Sequence, residues 1–152
     1  MTIHGERSYD ERFVHFVVLF NVDLDYFECH EVMEELWLEE GRNLLYQGLL
    51  QAAVGLHHWR NDNFSGAVKL FNQALQKLEH YPDAEKGLDL RQLRSDVARS
   101  LMLLDNGNGN GNGETARPAF VPFEVVVLDD QLRLLAEALA EIPLEDRLHV
   151  EE

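Results

Sequence analysis

The stretch Phe20-Asn21-Val22-Asp23-Leu24-Asp25-Tyr26-Phe27-Glu28-Cys29-His30-Glu31-Val32-Met33-Glu34-Glu35-Leu36-Trp37 decides how the rest of the chain is read. At about 100° per residue its second part sorts into the faces of a helix. Tyr26, Cys29, Met33, Leu36 and Trp37 gather into an apolar arc, while Glu28, Glu31 and Glu35 lie opposite, toward water. His30 and Glu34 fall at the border of the arc, one turn apart and level with Trp37. An imidazole one turn before a carboxylate, at the edge of a core, is either a buried polar pair or half of a site. The spacing leaves both open.

Working outward from this helix, Asn21 to Asp25 reads as a turn, with Asp23 or Asp25 able to cap the helix that follows, and Gly41 placed to end it. Upstream, Ser8-Tyr9-Asp10-Glu11 has the S-x-x-E form of a capping box. The run Phe13 to Phe20 after it makes a short first helix, apolar on most sides. Downstream, a third helix over residues 42–61 carries Leu44, Leu45, Leu49, Leu50, Val54 and Leu56 and leaves little polar surface, so it belongs at the centre. Gly48, Ala52 and Gly55 cost helix propensity there but let a neighbour come close. Gln47, Gln51 and His58 form a polar stripe within about 40° of one another on this helix. Buried polar groups need partners, and His30 with Glu34 is the candidate the stripe would face.

Ala67, Leu70, Phe71, Ala74, Leu75 and Leu78 mark an amphipathic fourth helix over residues 64–80, stopped by Tyr81-Pro82-Asp83. Asp89 and Gln92 open a fifth, with Leu90, Leu93, Val97, Leu101 and Leu104 as its apolar stripe. The alternating Asn-Gly tract after Asp105 reads as a flexible, low-complexity linker. Phe120, Val121, Phe123 and Val125 to Val127 then form an extended arm, Asp129 caps a last helix through Leu139, and the tail beyond Pro143 is expected to fray. The expected fold is all-α. It is a compact bundle of five to six helices over residues 1–104, a disordered linker over 105–117, and a C-terminal arm and helix over 118–152 packing on the same domain.

The composition narrows the function classes. At 152 residues with 45% hydrophobic content the chain can bury a core. Cys29 is its single cysteine, so no internal disulfide forms and cysteine-pair zinc spacings are absent. No apolar run reaches the roughly 20 residues a membrane helix needs, and Phe13 to Phe20 lacks a basic lead-in, so the expectation is a cytoplasmic protein that neither enters a membrane nor carries a signal peptide. Thirteen basic against 28 acidic residues give a formal net charge of −15, a field that repels nucleic acid. The acid excess is spread along the chain and lysine is scarce, which fits adaptation to concentrated salt, where screening shortens to about 3 Å at 1 M.

Three separated motifs carry a family resemblance. Phe20-Asn21, Phe27-Glu28-Cys29-His30-Glu31-Val32-Met33-Glu34-Glu35-Leu36-Trp37, and Gln47-Gly48-Leu49-Leu50-Gln51-Ala52-Ala53 with His57 resemble, in order, the signature of domain of unknown function 309 over residues 12–81. The resemblance implies a small all-helical bundle found in bacteria and archaea, and it implies no activity. The family-type positions are Asn21, Glu28, His30, Glu31, Glu34, Trp37, Gln47, Gln51 and His57.

Those positions, with His58, form the candidate binding or polar-network set. One reading is a hydrogen-bond network of His30, Glu34, Gln47 and Gln51 between the second and third helices, or a small pocket there, in a binding or scaffold module. The alternative takes His30-Glu31-Val32-Met33-Glu34 as a relative of the His-Glu-x-x-His zinc motif, with Glu34 in place of the second histidine, in a metal-binding protein or metal-dependent hydrolase. Its third ligand would come from His57, His58 or a nearby carboxylate. No catalytic residue is assigned: no nucleophile sits beside a base and no glycine-rich phosphate loop is present. The expected cofactor set is none, or a divalent metal at His30 and Glu34. The expected partner is a small molecule or a protein, not nucleic acid or membrane. Trp59, with His57 and His58, is either a pocket rim or a cap on the core.

Overall fold

The computed structural model describes residues 9–109 and 118–147, with side chains described to residue 105 in the first segment. The fold is all-α, with a two-residue ladder as its one strand pair among the described residues. Helix α1 (Glu11–Val18) runs into a π-helical turn (Leu19–Asp23), followed by α2 (Tyr26–Glu39), α3 (Leu44–Arg60) and α4 (Phe64–Leu78). A hairpin of β1 (Ala84–Glu85) and β2 (Leu88–Asp89) leads into α5 (Leu90–Gly109), and α6 (Asp130–Ala140) and α7 (Leu144–Arg147) close the described chain.

The helix starts follow local side-chain chemistry. Asp10, Asp25, Asn43, Asn63 and Asp129 each accept a backbone N–H from the first turn of α1, α2, α3, α4 and α6. The cap of α1 is therefore Asp10 and not Ser8, which lies outside the described residues. Asp10 also binds the Arg12 guanidinium, and that bond holds its carboxyl below the usual range.

Helix α3 is the hub, packed between α2 and α4. Its glycines are read correctly as contact residues: a Cβ on Gly55 would lie 2.5 Å from the Phe71 ring. Helix α1 is apolar nearly all round because it is covered on two sides, by α2 and by α6.

Other features also depart from the sequence reading. The segment after Pro82 is a hairpin, whose two-residue turn puts Lys86 and Gly87 both at positive φ (52° and 80°). Its Gly87 carbonyl accepts the Leu128 N–H at 2.7 Å, and Leu88 bridges Val127. Helix α5 also continues to Gly109, past the Asp105 boundary expected for the linker. The rest of the Asn-Gly tract lies outside the described residues.

The C-terminal arm lies across the helices and is held by aromatic contacts. Phe120 meets Tyr26 and Trp59 edge-on, and Phe123 packs on Phe20 and Phe71. The tail was expected to fray, yet α7 is docked: Arg147, 5% exposed, makes a two-bond ion pair with Asp23 at 2.7 and 3.1 Å. Its partner sits in the π-helical turn, as does Asn21. That turn widens the backbone by one residue per hydrogen bond and ends with Leu24 at φ 51°. It is the socket for Val125 of the arm and Arg147 of α7.

Candidate functional site

His30, Glu31 and Glu34 lie together on α2, with one ligand atom from each within 4.8 Å of the others. The imidazole stands between two carboxylates: Nδ1 is 3.4 Å from Glu31 and Nε2 is 3.5 Å from Glu34. All three side chains are 32–49% exposed. This is a surface cluster, open to water. Phe27 flanks it, with its ring 6.3 Å from His30 and 5.8 Å from His57.

Among the described residues no side-chain hydrogen bond joins His30 or Glu34 on α2 to Gln47 or Gln51 on α3. Gln51 turns the other way, donating to Gln73 of α4 at 3.1 Å and accepting from Lys77 at 3.3 Å. The reason is rotational. The hub helix has two neighbours, and the Gln51 face points to α4 while His30 and Glu34 stay at the rim of α2. Gln47 is half-buried, and Gly48 beside it packs on Leu78 of α4.

The remaining candidates have defined places. Asn21 clamps the arm, its amide donating to the Val125 carbonyl at 2.8 Å and accepting the Val125 N–H at 2.9 Å. Trp59 is a core residue and not a rim; its indole N–H reaches the Pro118 carbonyl at 3.1 Å. Trp37 lies under the Arg42 guanidinium at 5.2 Å. His57 packs against His58, and burial, followed by the charges of His58 and Arg60, moves its pKa down. Cys29 is fully buried beside the Phe16 carbonyl, where desolvation pushes its thiol well up and makes it inert.

A concavity adjoins the His30 cluster and shares Glu31 and Glu34 with it. A cleft of about 780 Å³ opens between α1, α2 and α6. Its apolar lining includes Val14, Val32, Leu38, Leu135, Leu139 and Ile142. Its polar lining holds five glutamates (Glu11, Glu28, Glu31, Glu34 and Glu35) with Arg12, His15 and Arg147.

Both arginines are already engaged: Arg147 by Asp23, and Arg12 by Asp10, Glu39 and more distantly Glu35. Glu28 is not. Its carboxylate has no hydrogen bond or ion pair among the described residues, and burial, then the charges of Asp25 and Glu31, raises its pKa. His15 is 8% exposed and its Nε2 has no hydrogen-bond partner among the described residues. Desolvation, reinforced by Arg147, lowers its pKa and favours the neutral ring. An orphaned imidazole nitrogen and an unpaired, half-buried carboxylate therefore line one cleft.

Sequence reasoning passed over His15 and Arg147. The signal for His15 was present, as the one polar side chain inside the apolar run Phe13 to Phe20 apart from the chain's turn. Arg147 carried none, because only its docking 124 residues from Asp23 in sequence gives it a role.

These features define a class: a small helical protein built around a three-helix layer, with a surface His-Glu cluster and an acid-rimmed cleft. Residues 13–70, from α1 to the middle of α4, match the family model described as "Domain of unknown function (DUF309)", which bears out the resemblance read from the motifs. The chain is similar to the uncharacterised protein YpuF of Bacillus subtilis (strain 168), 37% identical over 86 residues, covering 53% of this chain and 49% of that one. It is also similar to an uncharacterised protein of Aquifex aeolicus (strain VF5), 31% identical over 74 residues, covering 47% of this chain and 22% of that one. The chain thus spans half or less of the length of these relatives. All the family-type positions fall inside the match, whereas α6 and Arg147, which complete the cleft, fall outside it. Among the described residues no helix is long and apolar enough to cross a membrane.

Proposed function

We propose that the protein is a binding module whose working site is the cleft between α1, α2 and α6. The observation that carries this reading is the buried His15, whose side chain lines a cleft with an apolar floor and whose Nε2 has no hydrogen-bond partner among the described residues. A buried donor or acceptor left unpaired costs about 1–3 kcal/mol, and a ligand that satisfies it would recover that cost. A volume of about 780 Å³ falls within the range of roughly 300–1,000 Å³ found for small-molecule sites. The occupant is accordingly a small molecule and not a protein.

The test uses Nile red, an uncharged apolar dye. Its fluorescence should rise on mixing with the protein, be lost when Ala138→Trp fills the cleft wall, and persist in His30→Ala. Dye binding that ignores Ala138→Trp would place the apolar site elsewhere and end this reading.

A second reading keeps the His30, Glu31 and Glu34 cluster as a divalent-cation site. The clustering of three ligand-capable groups within 4.8 Å supports it, and an imidazole with two carboxylates is a donor set suited to zinc. Elemental analysis of protein purified without chelator should then give near-stoichiometric metal, lost in His30→Ala. A metal-free, folded protein counts against it. We also read the acid excess as an adaptation to concentrated salt in a cytoplasmic protein, supported by carboxylates spread along the chain. The thermal midpoint should then rise from dilute buffer to molar potassium chloride, and a flat response would remove the idea.

A further inference from the structure

We infer that the cleft selects an organic cation with an apolar body, a small primary or secondary amine, with Glu28 as its counter-charge and the unpartnered Nε2 of His15 as an acceptor. The inference rests on the proposal that the cleft is the binding site. It goes further by naming the ligand class.

Charge bookkeeping on the cleft walls makes the argument. Five glutamates face two arginines, and both arginines are already neutralised from outside or from the rim, Arg147 by Asp23 and Arg12 by Asp10 and Glu39. Among the described residues no unpaired cation remains on the walls to receive a carboxylate or phosphate ligand. An anionic ligand would also meet the Glu28 carboxylate at a half-buried position, where repulsion is poorly screened. Glu28 is in the opposite situation: it has neither an ion pair nor a side-chain hydrogen bond among the described residues. Burial and two neighbouring carboxylates make its charge costly, and an ammonium group would lift that cost. His15 adds the second observation. Its side chain lines the cleft and its Nε2 is buried without a partner among the described residues, so that in the Nδ1–H tautomer the lone pair is left to accept from an N–H of a ligand that reaches it. The apolar lining from Val14, Val32, Leu135, Leu139 and Ile142 suits an alkyl or aryl body, not a hydrated metal ion.

The inference is tested with three probes of one chain length, hexylamine, hexanoate and 1-hexanol, titrated at pH 7 into the full-length protein and followed by two-dimensional NMR. Hexylamine should bind at least tenfold more tightly than the other two, with shifts on α1, α2 and α6. Glu28→Gln should weaken it about tenfold, whereas Glu79→Gln, which removes the same charge from the exposed end of α4, should leave it unchanged. Glu28→Gln takes away an unpaired charge, so the fold is expected to survive it, and a native spectrum without ligand checks this. If hexanol or hexanoate binds as well as hexylamine, the cation selectivity is overturned while the cleft remains a binding site. If the amine perturbs both glutamate variants equally, it is attracted by the surface charge alone and the inference fails. If none of the probes shifts the cleft, both the ligand class and the cleft reading fall.

Discussion

Two histidines on neighbouring helices make opposite arrangements. His30 on α2 is flanked by two carboxylates, a third exposed, and attached to nothing deeper in the fold. His15 on α1 is enclosed on two sides, lies beside a docked arginine, and has a ring nitrogen with no partner among the described residues. The first looks like a site in the sequence because its neighbours are three residues or fewer away on one helix, or one turn along it. The second becomes a site only because α2, α6 and the chain's last described turn close around it. A carboxylate one turn away is visible to periodicity, but an empty space beside a side chain is not.

The largest way to break the comparison is to open the enclosure around His15. Asp23→Ala removes the partner of a guanidinium that is 3% exposed as a side chain, and stranding a buried charge costs about 3–5 kcal/mol. Urea denaturation should read that loss, and Asp23→Ala combined with Arg147→Met should recover much of it. A loss below about 1 kcal/mol would mean that α7 is not pinned there. Next is Asn21→Ala, which strands the N–H and carbonyl of Val125. About 1–3 kcal/mol should be lost, with faster amide exchange at Val125 as the local readout.

A subtler contrast is in pH dependence. The pKa of His15 is lower in the folded protein than its ordinary value near 6.5, because burial opposes the charged ring. The unfolded state then binds the proton more readily, so stability is full above about pH 6.5 and declines as pH falls below it toward the folded pKa. His57 is shifted in the same direction and contributes with the same sign. His15→Leu should flatten part of this acid-side decline, and its cost at pH 7 should be near zero, since it replaces an unpaired polar group by an apolar one. An unchanged pH profile in His15→Leu would show that His57 and the carboxylates carry the whole effect. The smallest effect belongs to His30→Ala. Exposed ion pairs contribute about 0–1 kcal/mol, so its denaturation midpoint should barely move; a loss of several kcal/mol would restore a buried network that the geometry does not contain.

Most of the helices were legible because their signals are local. The 3.6-residue spacing of Leu, Phe and Ala, the Asp and Asn caps, and Gly41 at a helix end all act within a few residues. Leu88 and Val127 could not be paired by such reasoning, since the bridge joins segments 39 residues apart and the hairpin before it is two residues per strand. The Lys86-Gly87 turn was the available signal and was passed over.

The sequence by itself determined an all-α chain with its helices in their places, an apolar α1, a central α3 with glycines for close packing, and the adjacency of His30, Glu31 and Glu34. These follow from periodicity and capping, which are properties of neighbouring residues. Only the tertiary structure decided which way Gln51 faces, that Asn21 and Asp23 receive Val125 and Arg147, and that His15 and Glu28, without a side-chain partner among the described residues, line one cleft. Those depend on the rotation of each helix against its neighbours and on contacts more than a hundred residues apart, and no local pattern encodes either.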